Sequence, residues 1–150
     1  MLPVLVRQIT SSETIAIRWP VLRPGFPSET AIFEGDVIPS TLHFGGLVDD
    51  RLVGVASIYL ISSPDRPEVD RAWQLRGMAT LPAVRGLGVG KALVAACEEA
   101  ALKIGDSLLW CNARAGAVSF YAHLAWTVSS EEFDIPTVGP HRRMLRELPA

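Results

Sequence analysis

Apolar and polar positions change period several times along the chain, and each change predicts an element. Val4 to Ile9 is rich in β-formers and reads as a first strand. Thr10-x-x-Glu13 has the pattern of a capping box, so a helix carrying Ile15, Ile17 and Trp19 is expected next, ended or kinked at Pro20. From Leu22 to Ser40 the periodicity is lost among Pro24, Gly25 and Pro27, which predicts an irregular loop. Two β-prone runs, Leu42 to Val48 and Leu52 to Ile61, flank Asp49-Asp50-Arg51 and predict a hairpin, with turn residues from Ser62 to Pro67 after it. Arg71 to Leu81 is a further strand reaching Pro82. Helical spacing then dominates from about Gly88 to Ile104. Leu93, Ala96, Cys97, Ala100, Ala101 and Ile104 form one face, Glu98, Glu99 and Lys103 the other, and Gly105 supplies the cap. A strand at Ser107 to Asn112, a helix at about Ala115 to Leu124, and paired strands at Trp126 to Asp134 and His141 to Leu148 complete the order. That order is β, α, loop, β, β, β, α, β, α, β, β, a mixed α/β class.

Length and composition narrow the picture. With 150 residues, no repeat and no linker, the chain reads as one domain over 1–150, large enough to form a core without disulfide staples. Cys97 in the helical pattern and Cys111 in an apolar run are expected to be reduced core thiols, which fits the cytoplasm. No apolar stretch is long enough to span a membrane, and Met1 to Arg7 does not read as a secretion signal. Twelve Arg and two Lys stand among 16 acidic residues, a balance that gives nucleic acid no general attraction. The cluster Arg142, Arg143 and Arg146 reads as the solvated face of a strand. Three histidines and two cysteines are dispersed, so no metal site is expected. A hydrophobic strand edge leaves a homodimer open.

Candidate chemistry concentrates between Met78 and Lys91, where Gly86, Gly88 and Gly90 lie between a strand end and a helix start. Backbone amides at a helix N-terminus lack intrahelical acceptors and carry partial positive charge, so they suit a phosphate. Arg85 adds a fork of donors and Lys91 a mobile charge, a set that suits pyrophosphate. A P-loop is excluded because Arg85 and Ala92 occupy the positions of its first glycine and its Ser/Thr. The dinucleotide fingerprint fails because its last glycine would fall at Lys91 or Leu93. What remains is Arg85-x-x-Gly88-x-Gly90. With the downstream run Ala117-Val118-Ser119-Phe120-Tyr121-Ala122-His123-Leu124-Ala125-Trp126, this resembles the GNAT superfamily of N-acetyltransferases, in particular its small single-domain bacterial-type members. Leu22-Arg23-Pro24-Gly25, His43-Phe44-Gly45, Gln74 to Thr80, Leu109 to Arg114 and Gly139-Pro140-His141 extend the resemblance to the C-terminus.

The resemblance implies an acyl-CoA N-acyltransferase fold, with a central mixed sheet of six to seven strands, helices on both faces and a splayed pair of parallel strands. It implies acetyl-CoA as co-substrate, seated between the strand ending at Thr80 and the strand at Ser107 to Asn112. Main-chain groups of Met78, Ala79 and Thr80 would meet the pantetheine, and Arg85, Gly86, Leu87, Gly88, Val89, Gly90 and Lys91 the pyrophosphate. An asparagine expected by the family pattern falls at Arg114, leaving Asn112 two residues earlier as the candidate contact. Where the family has Leu-Gly-Phe this chain has Leu124-Ala125-Trp126, and a different turn is expected because alanine resists positive φ. The implied reaction is attack of a neutral primary amine on the thioester in a ternary complex. A main-chain N–H near Met78 or Ala79 is the oxyanion donor. Tyr121 is the acid candidate for the leaving thiolate: its phenol, with a pKa of ~10, serves if the site stabilises the phenolate or recovers the proton quickly. Glu34, Asp36, His43, Glu68 and Asp70 stand as base candidates without one being singled out. Arg23 and Arg76 have the charge to bind an acidic acceptor, with a surface salt bridge as the plainer assignment. The alternative function is a non-catalytic acyl-CoA-binding sensor or assembly module.

Overall fold

The structure, a computed structural model, describes residues 3–149. Its eight strands and three α-helices run β1 (Val4–Ile9), α1 (Ser11–Leu22), β2 (Leu42–Val48), β3 (Arg51–Leu60), β4 (Trp73–Thr80), α2 (Val89–Ile104), β5 (Leu108–Arg114), α3 (Val118–His123), β6 (Thr127–Val128), β7 (Phe133–Ile135) and β8 (Gly139–Glu147). The class is mixed α/β, with eight strands where six to seven were expected. The chain divides into two compact units, Met1–Tyr59 with Arg76–Glu99, and Leu60–Leu75 with Ala100–Ala150.

In the first unit β1 and β2 are antiparallel, from Val4↔Val48 to Ile9↔His43, and β2 and β3 form the expected hairpin. Asp49 and Asp50 both have positive φ, 52° and 62°, the two-residue turn whose twist suits adjoining strands. The capping box forms: Thr10 Oγ1 accepts from the Glu13 amide while the Glu13 carboxylate accepts from the Thr10 amide. Pro20 does not end α1 at its position: it lies inside the helix, which closes two residues later at Leu22. The buried face of α1 is Thr14, Ile17 and Arg18, whereas Trp19 is 43% exposed. Ile9, Ile17, Val55 and Ala79 pack together, with Val21, Leu22, Leu52 and Leu81 around them. The loop after α1 holds one 3-10 turn, Ser28–Ala31.

In the second unit β4 pairs in parallel with β5 from Trp73↔Leu109 to Leu75↔Cys111, and β5 pairs antiparallel with β8 along its whole length. The expected strand Trp126 to Asp134 is instead two short strands on β8, β6 and β7. Polar Ser129 and Ser130 interrupt it, and their hydroxyls bond Asp65 and the Arg143 amide. Likewise the helix expected from Ala115 begins as a 3-10 turn, Ala115–Ala117, before α3. Arg143 pairs with Asp65 at 2.8 Å and stacks over Phe133, so one member of the C-terminal arginine cluster is tied down. Both cysteines are free and buried, and burial pushes the Cys111 thiol up to about 12.

Ala125 takes a left-handed conformation in the turn after α3, under strain, with φ 70°. The Trp126 amide bonds Tyr121 O and the Ala125 amide bonds Ala122 O, both at 3.1 Å, so the helix ends in a Schellman motif with alanine where glycine is favoured. Buried Trp126 packing on the Tyr121 ring holds the motif closed. Ala125→Gly is therefore expected to stabilise the fold by about 1 kcal/mol, the left-handed strain relieved, raising the melting midpoint by about 2–4 °C. Differential scanning calorimetry checks this, and a lower midpoint would deny the strain.

Candidate active site

The glycine turn is built in the first unit. Leu81 donates its amide to Val53 O at 2.9 Å, fixing the end of β4 to β3, and a 3-10 turn at Pro82–Val84 follows. Within it the Arg85 amide bonds Pro82 O and the Leu87 amide bonds Val84 O, so these two amides are occupied by the turn itself. Gly86 and Gly88 sit at φ 85° and 86°, and a Cβ on either would meet nothing within 4 Å. Their missing side chains thus serve the backbone bend and leave the ground before it clear. Gly88 O accepts the Ala92 amide at 3.0 Å, the first helical bond of α2, so the amides of Val89, Gly90 and Lys91 head the helix without helical acceptors.

What pins this helix start is its first side chain. Val89 is 2% exposed and packs where β2 and β3 carry Gly46 and Gly54, whose hypothetical Cβ atoms would lie 3.0 and 2.7 Å from Val89 Cγ1. Those two glycines let α2 approach the strands. The Val89 side chain therefore belongs to the core, and only its main chain is left to the turn. Arg85, Leu87 and Lys91 are exposed, Ala79 is buried in the core cluster, and Met78 and Thr80 are half-buried.

Tyr121 and Asn112 belong to the second unit. Tyr121 is buried in α3, its ring edge-on to Phe120 at 5.0 Å and tilted against Trp126 at 5.3 Å. Asn112 and Arg114 are both exposed on β5 with buried Ala113 between them, so the two positions in question for the asparagine share one face.

The base candidates separate clearly. His43 is buried with both ring nitrogens bonded, Nδ1 to Ser57 Oγ at 2.6 Å and Nε2 to Asp36 O at 2.8 Å, and is a satisfied strand histidine. Asp36 is buried and ion-paired with fully buried Arg18 at 2.7 Å, and takes hydrogen bonds from the Tyr59 hydroxyl and the Phe33 amide. Burial alone would raise its pKa, but Arg18, Tyr59 and the Phe33 amide together hold it below the usual carboxylate value. A carboxylate so committed is a poor proton acceptor. Glu68 pairs with Arg66, Asp70 is exposed, and Glu34 is exposed beside Arg76, whose Nη1 bonds Glu34 O. The Arg18–Asp36 pair, extended by Ser57 and Tyr59, is absent from the sequence expectations. Its one legible signal was Arg18 four residues after Thr14, on the face shared with Ile17. The structure also places Gly77 at φ 68° inside β4, where a Cβ would stand 3.0 Å from Arg18 Nε.

An open recess of about 620 Å³ lies against α1, lined by Ala16, Trp19, Pro20, Pro24, Gly25 and Phe26. Among the described residues no group of three or more His, Cys, Asp and Glu gathers as a metal site, and no helix is long and apolar enough to cross a membrane.

A mixed α/β chain with this turn between β4 and α2 has the acyl-CoA N-acyltransferase fold. Escherichia coli ElaA matches it at TM-score 0.76 with 21% identity, over 97% of this chain and 100% of that one. The Salmonella typhimurium protein yncA, solved with its cofactor acetyl-CoA, matches at TM-score 0.70 with 16% identity, over 99% of this chain and 95% of that one. The chain belongs to the Acetyltransferase (GNAT) family, whose model matches residues 9–126. It is 35% identical over 143 residues to the uncharacterized N-acetyltransferase YitI of Bacillus subtilis (strain 168), 95% of each chain being covered. The protein is accordingly an acyltransferase enzyme of the N-acetyltransferase type.

Proposed function

We propose that this protein, acting as one catalytic domain, moves the acetyl group of acetyl-CoA to a primary amine by direct attack in a ternary complex. The observation that supports this most is the left-handed pair Gly86 and Gly88 ahead of the amides of Val89, Gly90 and Lys91, held in place by Val89 under Gly46 and Gly54. Those amides bind the pyrophosphate, with Arg85 and Lys91 adding charge from exposed positions. Main-chain groups of Met78 to Thr80 take the pantetheine as an added strand would. A backbone N–H near Met78 or Ala79 steadies the oxyanion, a fixed dipole that needs no reorganisation as charge develops. The amine nitrogen bonds the thioester carbon and gives up one proton to water, the carbon–sulfur bond breaks, and the thiolate takes a proton, so that amide and free thiol leave with no net change in protons. Tyr121 supplies that proton or bonds to the sulfur, Asn112 is a further cofactor contact, and no metal takes part.

Thiol release from acetyl-CoA against a panel of amines, beside a calorimetric titration of coenzyme A, tests the reading. Release with at least one amine and stoichiometric coenzyme A binding are expected. Binding without release on any amine would favour an acyl-CoA sensor. Tyr121→Phe is expected to lower kcat about 100-fold and leave coenzyme A affinity within twofold. Equal loss in both would reduce Tyr121 to packing in α3.

A further inference from the structure

We infer that the acceptor of this enzyme is an amine bearing a carboxylate, of the amino-acid kind, and that Arg76 holds that carboxylate beside Phe33. The inference rests on the acetyltransferase reading above and names its substrate class. With pyrophosphate at the head of α2 and pantetheine along Thr80, Ala79 and Met78, the thioester comes next to the preceding residues of the same strand. Those are Gly77 and Arg76, about 13 Å back along β4 from Thr80 for the latter. The end of the site where the acceptor must enter is therefore the Arg76 end.

Arg76 is half-buried and held on three sides. Its guanidinium carbon lies 5.0 Å from the Tyr59 ring centroid and 5.4 Å from that of Phe33, and Nη1 donates to Glu34 O at 3.3 Å. Among the described residues it forms no ion pair, unlike Arg18, whose charge Asp36 matches. The plainer expectation, a salt-bridged surface arginine, thus does not describe Arg76. A guanidinium has five N–H donors in a planar fork, and stacking fixes the plane without using them, so a carboxylate meets a prepared partner. Phe33 is fixed in turn: the Arg18 and Arg23 guanidinium carbons lie 4.1 and 5.2 Å from its centroid. Gly77 makes room for this stack, since a Cβ there would stand 3.2 Å from Phe33 Cε2. Cationic amines would be repelled by this surface, whereas an amino acid brings its own counter-charge. The same positive field favours loss of the ammonium proton, the form change that attack on the thioester requires.

The test pairs free L-amino acids with their carboxamides as acceptors, reading thiol release from acetyl-CoA. The acids are expected to exceed the carboxamides at least tenfold in kcat/KM. Arg76→Gln should bring that ratio near one with coenzyme A affinity within twofold, and Arg76→Lys should retain part of the ratio. As a binding arm, N-acetyl amino acids and their amides are titrated onto the coenzyme A-loaded protein, and only the acids should bind, Arg76→Gln weakening them about tenfold. Carboxamides or simple amines accepted as well as the acids, a ratio unmoved by Arg76→Gln, or equal binding of N-acetyl acids and amides would overturn the inference while leaving acetyl transfer standing. Loss of coenzyme A binding, or no transfer to any amine, would instead defeat the acetyltransferase reading beneath it.

Discussion

Replacing Gly88 with aspartate is expected to weaken coenzyme A binding more than 100-fold while the protein remains folded. The residue sits at φ 86°, where a side chain costs about 1–2 kcal/mol in backbone strain, yet its Cβ would meet nothing within 4 Å, so the core is left undisturbed. What changes is the ground before the helix amides: a carboxylate now occupies it and opposes a diphosphate of the same sign. Gly90→Asp is expected to act in the same direction. Calorimetric titration of coenzyme A, with circular dichroism to show the fold retained, gives the result. Unaltered affinity in a folded Gly88→Asp protein would remove the anion site from this turn.

Asp36→Ala is expected to destabilise the protein by about 3–5 kcal/mol, because it strands the Arg18 guanidinium in a fully buried place. For a chain of this length that is a fall of roughly 10 °C in the melting midpoint. Arg18 also donates to Ala31 O, Ser57 Oγ and Tyr59, and its Nε already lacks a hydrogen-bond partner, so no other acceptor stands ready to replace the carboxylate. Acid shows the same pair in the unaltered protein. The folded pKa of Asp36 lies below its ordinary 3.8, so its contribution is full above that value and is lost as pH falls through the folded value. The stability gap between the wild type and Asp36→Asn, measured by urea unfolding, should be constant from pH 7 to about pH 5 and shrink below about pH 4. A gap independent of pH would mean that the fold does not lower the Asp36 pKa.

The hairpin, the capping box, the amphipathic α2 and the glycine turn were all legible in the sequence. In each the deciding physics is local: a pair of turn residues, a side chain bonding an amide three positions away, a helical period, a set of glycines at fixed spacing. Local rules resisted the positive φ that Ala125 takes, and tertiary contacts explain it. Trp126 seated on Tyr121 compensates a left-handed alanine that propensity alone would refuse. In α1 the hydrophobic pattern pointed to Ile15, Ile17 and Trp19, yet Thr14 and Arg18 flank Ile17 on the buried face. A polar residue becomes a core residue when its partners come from elsewhere in the chain, here Asp36, Ser57 and Tyr59, 18 to 41 positions away.

The sequence by itself determined the family, the location of the glycine turn and the order of the elements, since these reside in short contiguous patterns. Only the tertiary structure decided which of those residues have main chain or side chain to offer: Val89 turned into the core, the Arg85 and Leu87 amides used within the turn, and Asp36 and His43 withdrawn into a buried network. It decided too that Arg76 stands stacked and without an ion pair among the described residues. Burial and partnership depend on groups distant along the chain, and a linear pattern carries no record of which distant group arrives.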